Sequence, residues 1–539
     1  MTHPRCACGA PQSGPDPSGR ARAARSVRLN QLRPVVLLGL FALSAVLAGC
    51  STPTPPALPN LRAIGPSFTQ AGPDGSDALD AATWRGFGDP VLEGLIQQAR
   101  AANLDVRIAQ QRVRQARAGS TAAASRLLPT VTATGSGSDQ RTGLPAEVKR
   151  GLPDTRALRG AVDLSWELDV FGANRAAADA AELDALAADA GVATAQWLAT
   201  TEVARQYLVW QGARLRLQQL QALLQTQRDT ERLTRSRESN GLASRFDVVR
   251  AAGEVQSLAS QLPPLRALVA VTETQIHVLL GLSGTAHPAL NSQIAPTLPQ
   301  VPLLKPGQPI ELLQRRPDLR VAQQQLLAEA ARLRESQADQ WPRFFLAAVL
   351  GQQDLRLNGL DLSPARYSNV ALAFTAPLFN AGRLRAAVER QSARERAATL
   401  QVERAVLGAL QDVENSLVAL AQERDRSTAL AAAVDSRREG LRHAQSLHRE
   451  GQIDLLQLLD AQRGLIAAEL AATDSHIQRA LGAVQLVKAL GGGWVVDSAV
   501  AGATQPDTPK PAPPPAAPLS SSLPSALAQS MAASLSLKP

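Results

Sequence analysis

Phe171-Gly172-Ala173-Asn174-Arg175 returns 208 residues later as Phe379-Asn380-Ala381-Gly382-Arg383, and this recurrence decides the fold. Four further matches keep the same order at offsets of 210 to 213: Asp105 with Asp318, Pro129 with Pro342, Gly241 with Gly451, and Leu280-Gly281 with Leu490-Gly491. Each match alone is weak. Because the ordered offsets differ by at most five positions, the sequence predicts one α/β unit that occurs twice.

Each half is predicted to contain one long helix beside two shorter ones. Residues 173–238 and 381–449 contain no proline and are rich in helix formers, which predicts two helices of about 100 Å. Neither stretch holds a continuous apolar run long enough to span a bilayer as a helix. The shorter helices are predicted at Leu104–Ser125 and Asp247–Gly281 in the first half, and at Asp318–Gln340 and Gln457–Leu490 in the second. Their summed lengths nearly match those of the long helices.

One strand has an especially clear pattern. From Val162 to Val170, apolar residues that include Trp166 alternate strictly with polar and acidic ones. This period of two is typical of a membrane β-barrel strand, although a strand of a soluble sheet also alternates. Weaker strands of roughly ten residues are predicted at Leu128–Ser138, Phe344–Gly351 and Asn369–Leu378.

Four strands per chain constrain the assembly. They cannot close a barrel, and an open sheet edge cannot lie in lipid. Either the sheet is soluble or several chains contribute to one barrel, and three chains would supply about twelve strands. The pattern therefore favours an oligomer before any family is considered.

The N-terminus has the pattern of a targeting segment. An arginine-rich region precedes the apolar run Val35–Val46, and Leu47-Ala48-Gly49-Cys50 follows, which resembles a bacterial lipobox. We expect cleavage before Cys50 and acyl chains on its sulfur and amino group, with no other cofactor. A plain transmembrane anchor is the alternative, but the run is short and proline-rich sequence follows it. Ser51 directly after the cysteine favours the outer membrane as the location of the lipid-anchored protein.

The predicted organisation has six parts: a lipoprotein signal peptide (1–49), a lipidated tether (50–60), the first repeat (61–280), a belt linker (281–307), the second repeat (308–497) and a disordered Ala/Pro/Ser-rich tail (498–539). All three cysteines lie at or before Cys50, so no later disulfide or thiolate metal site is expected. Of the net charge of +9, +5 belongs to residues 1–49, and no nucleic-acid partner is expected.

The quoted motifs resemble those of a known family. Trp84 with Phe87-Gly88-Asp89-Pro90, residues 165–172, Arg315-Arg316-Pro317-Asp318 and the Gly491-Gly492-Gly493-Trp494 ending occur in the order found in TolC-like outer-membrane factors. The resemblance covers roughly residues 60–495 and is strongest to the lipidated, NodT-like efflux branch. The two motifs of the second half are the most specific.

This resemblance implies a mainly α, α+β fold, internally duplicated, in which a homotrimer forms a β-barrel of four strands per chain continued by a long periplasmic α-helical barrel. It implies a passive outer-membrane channel that expels small molecules, docked to a periplasmic adaptor and an inner-membrane pump of the RND type. An exit duct for type I protein secretion is the alternative. A periplasmic helical scaffold lipoprotein that conducts nothing is a further one.

The resemblance also assigns roles to the helical tips. It places two turns at Ser239–Ala251 and Glu450–Ala461, with adaptor contacts at Gly241, Leu242, Ala243 and Ser244 and at Gly451, Gln452, Ile453 and Asp454. It places a periplasmic gate at Asp460, Gln457 and Asp247. Gln457 stands where the family carries an acid, and Ile453 where it carries the basic partner of Asp247. Ordinary hairpin turns and a solvated Asp460 are the alternatives.

An enzyme is not expected. His443 and His448 are five residues apart, which is off the spacing that presents two metal ligands on one helical face. Gly491-Gly492-Gly493 ends a predicted helix, whereas a phosphate-binding loop begins one.

Overall fold

The structure is a computed structural model that describes residues 81–141, 154–283, 287–290, 295–302, 306–357 and 360–492, together with residues 65, 67, 68 and 143. The chain divides into Met1–Ala57 and Leu58–Pro539, and every described residue belongs to the second unit. Cys50 and the predicted tail lie outside the described residues.

The same order of elements occurs twice. The first half contains α1 (Pro90–Ala102), α2 (Leu104–Ala124), β1 (Thr130–Gln140), β2 (Thr155–Leu168), α3 (Ala173–Ser239), α4 (Arg245–Ser260) and α5 (Leu262–Leu279). The second contains α6 (Leu312–Arg315), α7 (Pro317–Ala338), β3 (Arg343–Leu357), β4 (Leu360–Thr375), α8 (Arg383–Arg449) and α9 (Leu455–Ala489). Short 3₁₀ turns lie at Ala81–Phe87, Ser125–Leu127, Pro288–Leu290 and Pro309–Glu311.

The long helices α3 and α8 agree with the prediction, and both are 67 residues long. Each begins after a left-handed glycine, Gly172 with φ 79° and Gly382 with φ 83°. The single helix predicted over Asp247–Gly281 is wrong, because α4 and α5 are separated at Gln261. Pro263 and Pro264 explain the break, since proline lacks the amide hydrogen of a helix interior and fits only its first turn.

The start of α1 is fixed by the side chain of Asp89. Asp89 Oδ1 accepts hydrogen bonds from the backbone amides of Val91 (2.9 Å) and Leu92 (3.2 Å), and Pro90 stands at the first helical position. Its other oxygen, Oδ2, accepts from the Tyr207 hydroxyl on α3 at 2.7 Å. Burial, together with the neighbouring Asp89 carboxylate, raises the pKa of Tyr207 well above its usual value. This cap therefore also fixes α1 against the long helix.

The four strands form one antiparallel sheet in the order β1-β2-β3-β4. They are 11 to 16 residues long, so the predicted length of about ten was too short, because both β-hairpins continue beyond their apolar stretches. Val170 and Leu378, predicted in strands, lie outside them. After β2 the chain turns at Asp169, whose side chain accepts from the amides of Asn174 (3.0 Å) and Arg175 (2.8 Å) at the start of α3.

The apolar core lies where the short helices stack against the long ones. One cluster joins α1, α5 and α9 to α3 and includes Trp84, Phe87 and Trp210, all almost fully buried. A second cluster joins α7 and α9 to α8 around Leu326 and Val413. The two clusters stabilise corresponding regions of the two halves. Among the described helices, none combines the length and apolarity needed to cross a membrane.

Candidate functional site

The first candidate surface is the sheet, whose two faces differ in chemistry. Residues that stand opposite each other in the strand register share a face. One face carries large apolar side chains that are at least about half exposed: Val131, Leu158, Val162, Leu350, Val370, Leu372 and Phe374. A soluble chain would cover such a face, so this surface needs an apolar environment.

The opposite face of the sheet is polar and internally paired. Thr134 donates to Asp163 at 2.6 Å between oxygen atoms, and Arg343 forms an ion pair with Glu167 at 3.5 Å. The Arg159 guanidinium lies 4.7 Å from the centre of the Tyr367 ring and also donates to its hydroxyl. This face is suited to water.

Both edges of the sheet are open within the described residues. β1 pairs with β2 alone, and β4 pairs with β3 alone. Each edge strand therefore presents a row of backbone amides and carbonyls that needs a partner.

The second candidate surface consists of the two helical tips, which are built by the same turn. At the first tip, the amide of Leu242 donates to the carbonyl of Arg237 at 2.8 Å, and Gly241 has φ 73°. At the second tip, the amide of Gln452 donates to the carbonyl of Leu447 at 2.8 Å, and Gly451 has φ 75°. Both are Schellman turns, which favour glycine because the backbone is left-handed there.

Both turns are shorter than predicted, because a capping residue restarts the helix at once. Ser244 caps α4 and Asp454 caps α9, so the turns end there and not at Ala251 and Ala461. Asp247 completes a capping box, in which its Oδ2 accepts from the Ser244 amide at 3.0 Å. Gln457 takes the corresponding position in α9, where its amide donates to Asp454 Oδ1 at 2.9 Å. Asp247 thus has a local structural role.

The predicted gate residues Gln457 and Asp460 lie one turn apart and are both exposed on α9. Leu459 points into the protein, where it is almost fully buried. The nearby cation Arg463 pairs with Glu254 on α4 at 3.2 Å instead. Within the described part of the chain, the carboxylate of Asp460 forms no ion pair. It is therefore a free negative charge near the second tip.

One contact between the tips has no local pattern in the sequence that indicates it. Arg237, at the end of α3, places its Nη1 2.7 Å from Nε2 of His448, near the end of α8. The other ring nitrogen, Nδ1, lies 3.1 Å from the carbonyl oxygen of Ile453. Ile453, at the position where the family resemblance predicts a basic partner of Asp247, takes part in this contact through its backbone carbonyl. From the sequence alone, His448 is a candidate only as a metal ligand, and its spacing from His443 argues against that role.

The two tips differ in their exposed side chains. The first presents Leu242, Phe246 and Val249, with exposures of 76%, 69% and 58%. At the second, Leu456 is 43% exposed, and the turn itself carries Gln452 and Asp454. An apolar patch of this kind on an exposed turn is typical of a contact surface.

Comparison with known proteins identifies the family. The family model described as outer membrane efflux protein matches residues 95–282 and 309–492, one segment in each half. The chain is 30% identical over 476 residues to the pyoverdine export outer membrane protein OpmQ of Pseudomonas putida, covering 86% of this chain and 98% of the relative. It is 29% identical over 440 residues to nodulation protein T of Rhizobium leguminosarum bv. trifolii, covering 78% and 90%.

Solved structures agree with this assignment. The outer-membrane channel OprN superposes with a TM-score of 0.74 at 28% identity, covering 83% of this chain and 99% of that one. The open-state MtrE channel of Neisseria gonorrhoeae superposes with a TM-score of 0.71 at 25% identity, covering 82% and 98%. The chain belongs to the outer membrane efflux protein family.

Proposed function

We propose that three copies of this chain join edge to edge, β4 of one copy pairing with β1 of the next, to form a single twelve-stranded barrel. The observation that carries this proposal is a sheet with one apolar face and two open edges. In lipid, each open edge would leave its backbone groups unpaired at a cost of several kcal/mol per group. Pairing between copies removes that cost.

Membership of the family makes the protein an outer-membrane channel of a tripartite efflux system. The two faces of the sheet fit this function. The apolar face with Val370 and Phe374 suits lipid, and the polar face with Asp163 and Glu167 suits a water-filled lumen. The helices α3 and α8, each 67 residues long, would extend the lumen by about 100 Å.

The proposed partners contact the protein at its two helical tips. We assign Gly241–Ser244 and Gly451–Asp454 to contact with a periplasmic adaptor, which connects the channel to an inner-membrane pump of the RND type. The exposed patch of Leu242, Phe246 and Val249 supports an apolar contact at the first tip. Substituting Leu242→Asp and Phe246→Asp together should weaken adaptor binding without affecting the barrel. Co-purification of crosslinked adaptor measures this effect, and undiminished recovery would contradict the assignment.

The anchor is proposed at Cys50. Two or more acyl chains there would hold the N-terminus in the outer membrane more stably than one chain. Mass spectrometry of the mature protein should find a lipid-modified Cys50 as its first residue. An unmodified N-terminus upstream of Cys50 would contradict this proposal.

The gate is proposed at Asp460, because three copies of this free carboxylate around one axis would attract cations and resist anions. Asp460→Ala should raise the conductance in planar bilayers and weaken block by divalent cations. Gln457→Asp, which adds a second ring of carboxylates, should strengthen that block. Asp435→Ala on α8 is the matched control, because Asp435 is paired locally with Arg438. Unchanged conductance and block in both test variants would exclude the gate role.

Crosslinking tests the assembly. Ala133→Cys on β1 is combined in turn with a cysteine at each position of β4 from Asn369 to Ala373. At least one pair should form disulfides that join chains into dimers and trimers and no larger species. Val162→Cys with Leu350→Cys is the control, because these residues face each other within one chain. Products that remain monomeric for every β1–β4 pair would contradict edge-to-edge assembly.

A further inference from the structure

The contact between Arg237 and His448 joins the two tips at their turns. The Arg237 carbonyl accepts the turn-closing bond from Leu242 at the first tip, and the His448 carbonyl accepts from the amide of Gly451 at the second. The side chains of these same two residues meet at 2.7 Å. Neither side chain is fully exposed. A change in this contact would therefore act directly on both turns.

The geometry determines which nitrogen of His448 carries the proton. A carbonyl oxygen can only accept, so Nδ1, 3.1 Å from the Ile453 oxygen, must be the donor. In the neutral ring, Nε2 is then an acceptor, and it receives a hydrogen bond from the Arg237 guanidinium. Protonation of Nε2 removes this acceptor and places two cations against each other.

The surrounding charges do not offset a second cation. Within the described residues, no carboxylate forms an ion pair with His448. The charged groups on the neighbouring elements have other contacts or are exposed. Glu238 pairs with Arg245 at 3.8 Å, and Glu254 pairs with Arg463. Asp247 belongs to the capping box of α4, and Asp454 caps α9. Glu450 accepts from Ser446 and Gln452, and Arg449 and Asp460 are exposed. A protonated His448 would thus face Arg237 without a carboxylate partner of its own.

We propose that His448 is a pH-sensitive clasp, which ties the two helical tips together through Arg237 when neutral and releases them when protonated. Its effect would be to loosen the tips in acid. This consequence for opening rests on the proposed gate near the second tip, whereas the clasp itself does not.

Hydrogen exchange of the purified full-length protein tests the clasp, with exchange times corrected for the intrinsic effect of pH. From neutral to mildly acidic pH, backbone amides of both turns should exchange about tenfold faster, because protonation of His448 removes the acceptor of the Arg237 hydrogen bond. His448→Gln should stay protected at both pH values, because its amide can accept from Arg237 and donate to Ile453 without titrating. His448→Ala should exchange fast at both.

His443→Gln is the matched control, because His443 lies on the same helix and is exposed beside Glu439. It should retain the pH response of the parent protein. A response that persists in His448→Gln, or a parent protein without one, would overturn the clasp. Conductance provides a second readout: if the tips loosen in acid but conductance does not rise, the clasp stands and the proposed gate near the second tip is wrong.

Discussion

Corresponding residues stabilise the two halves by different means. Asn103 precedes α2, and Arg316, 213 positions later, precedes α7. Asn103 Nδ2 donates to the carbonyl of Leu279 at 2.8 Å, and Arg316 Nη1 donates to the carbonyl of Ala489 at 3.4 Å. In both halves a side chain thus joins the start of one short helix to the end of the other. One half uses a neutral amide and the other a buried cation.

The side chains of Asn103 and Arg316 differ in the other contacts that they make. Asn103 Oδ1 also caps α2, accepting from the amide of Asp105 at 2.9 Å. Arg316 pairs with Asp318 at 2.8 Å and Asp412 at 3.0 Å, and lies 5.2 Å from the ring centre of Trp197 on α3. Burial opposes its charge, but the two carboxylates outweigh burial and raise the pKa of the guanidinium. In the first half, the contacts of Asn103 join elements of that half only. In the second half, Arg316 also contacts Trp197 on α3 and so links the two halves.

Removal of the Arg316 cation is expected to have the largest effect. Arg316→Met leaves the Ala489 carbonyl and two carboxylates without their partner, although Asp412 is half exposed and recovers water. We expect a loss of about 3 kcal/mol in stability. Thermal unfolding in detergent measures it. Arg334→Met is the control, because Arg334 is 32% exposed where Arg316 is 7% exposed, and a similar loss there would contradict the role of burial.

Asn103→Ala should cost less, about 2 kcal/mol, because it removes a helix cap and leaves the partly buried Leu279 carbonyl without this donor. Asn103→Asp separates the two contributions, since it keeps the cap but cannot donate to the carbonyl. It should recover part of the loss in the same unfolding measurement. If Asn103→Ala were as costly as Arg316→Met, the junctions would not differ as described.

The tips should respond equally to a change in their glycines. Gly241→Ala and Gly451→Ala each force a side chain into the left-handed region, which costs about 1–2 kcal/mol locally. Hydrogen exchange of the two turns should show similar losses of protection. Gly253→Ala within α4 is the control, because it lies in a regular helix with open space around it. Unequal losses would show that the turns differ despite their identical hydrogen bonds.

The smallest expected effect on stability distinguishes the N-terminal caps of α4 and α9. Asp247→Ala breaks the capping box of α4 and should cost about 0.5–1 kcal/mol. Gln457→Ala should cost almost nothing, because its own side chain does not contribute to the cap at Asp454. Exchange rates in the first turn of each helix provide the measurement. An equal effect of both substitutions would contradict the assigned role of Asp247.

Much of the fold could be predicted because its signals are periodic. The long helices, the alternation around Trp166 and the turn glycines each follow from local chemistry. The strand lengths and the break at Gln261 were mispredicted, because the β-hairpins extend through polar residues and two prolines can stand inside a first helical turn. The Arg237–His448 contact joins residues 211 positions apart, and no local pattern indicates it.

In the proposed assembly, one duplicated unit is present six times in three chains and forms the outer-membrane channel. A single-particle structure of the full-length protein in lipid nanodiscs would test this assembly. We expect threefold symmetry, with β1 of each chain paired to β4 of its neighbour in one closed barrel of twelve strands, four from each chain. A different number of chains around the axis, or a sheet whose edges stay unpaired in lipid, would contradict it.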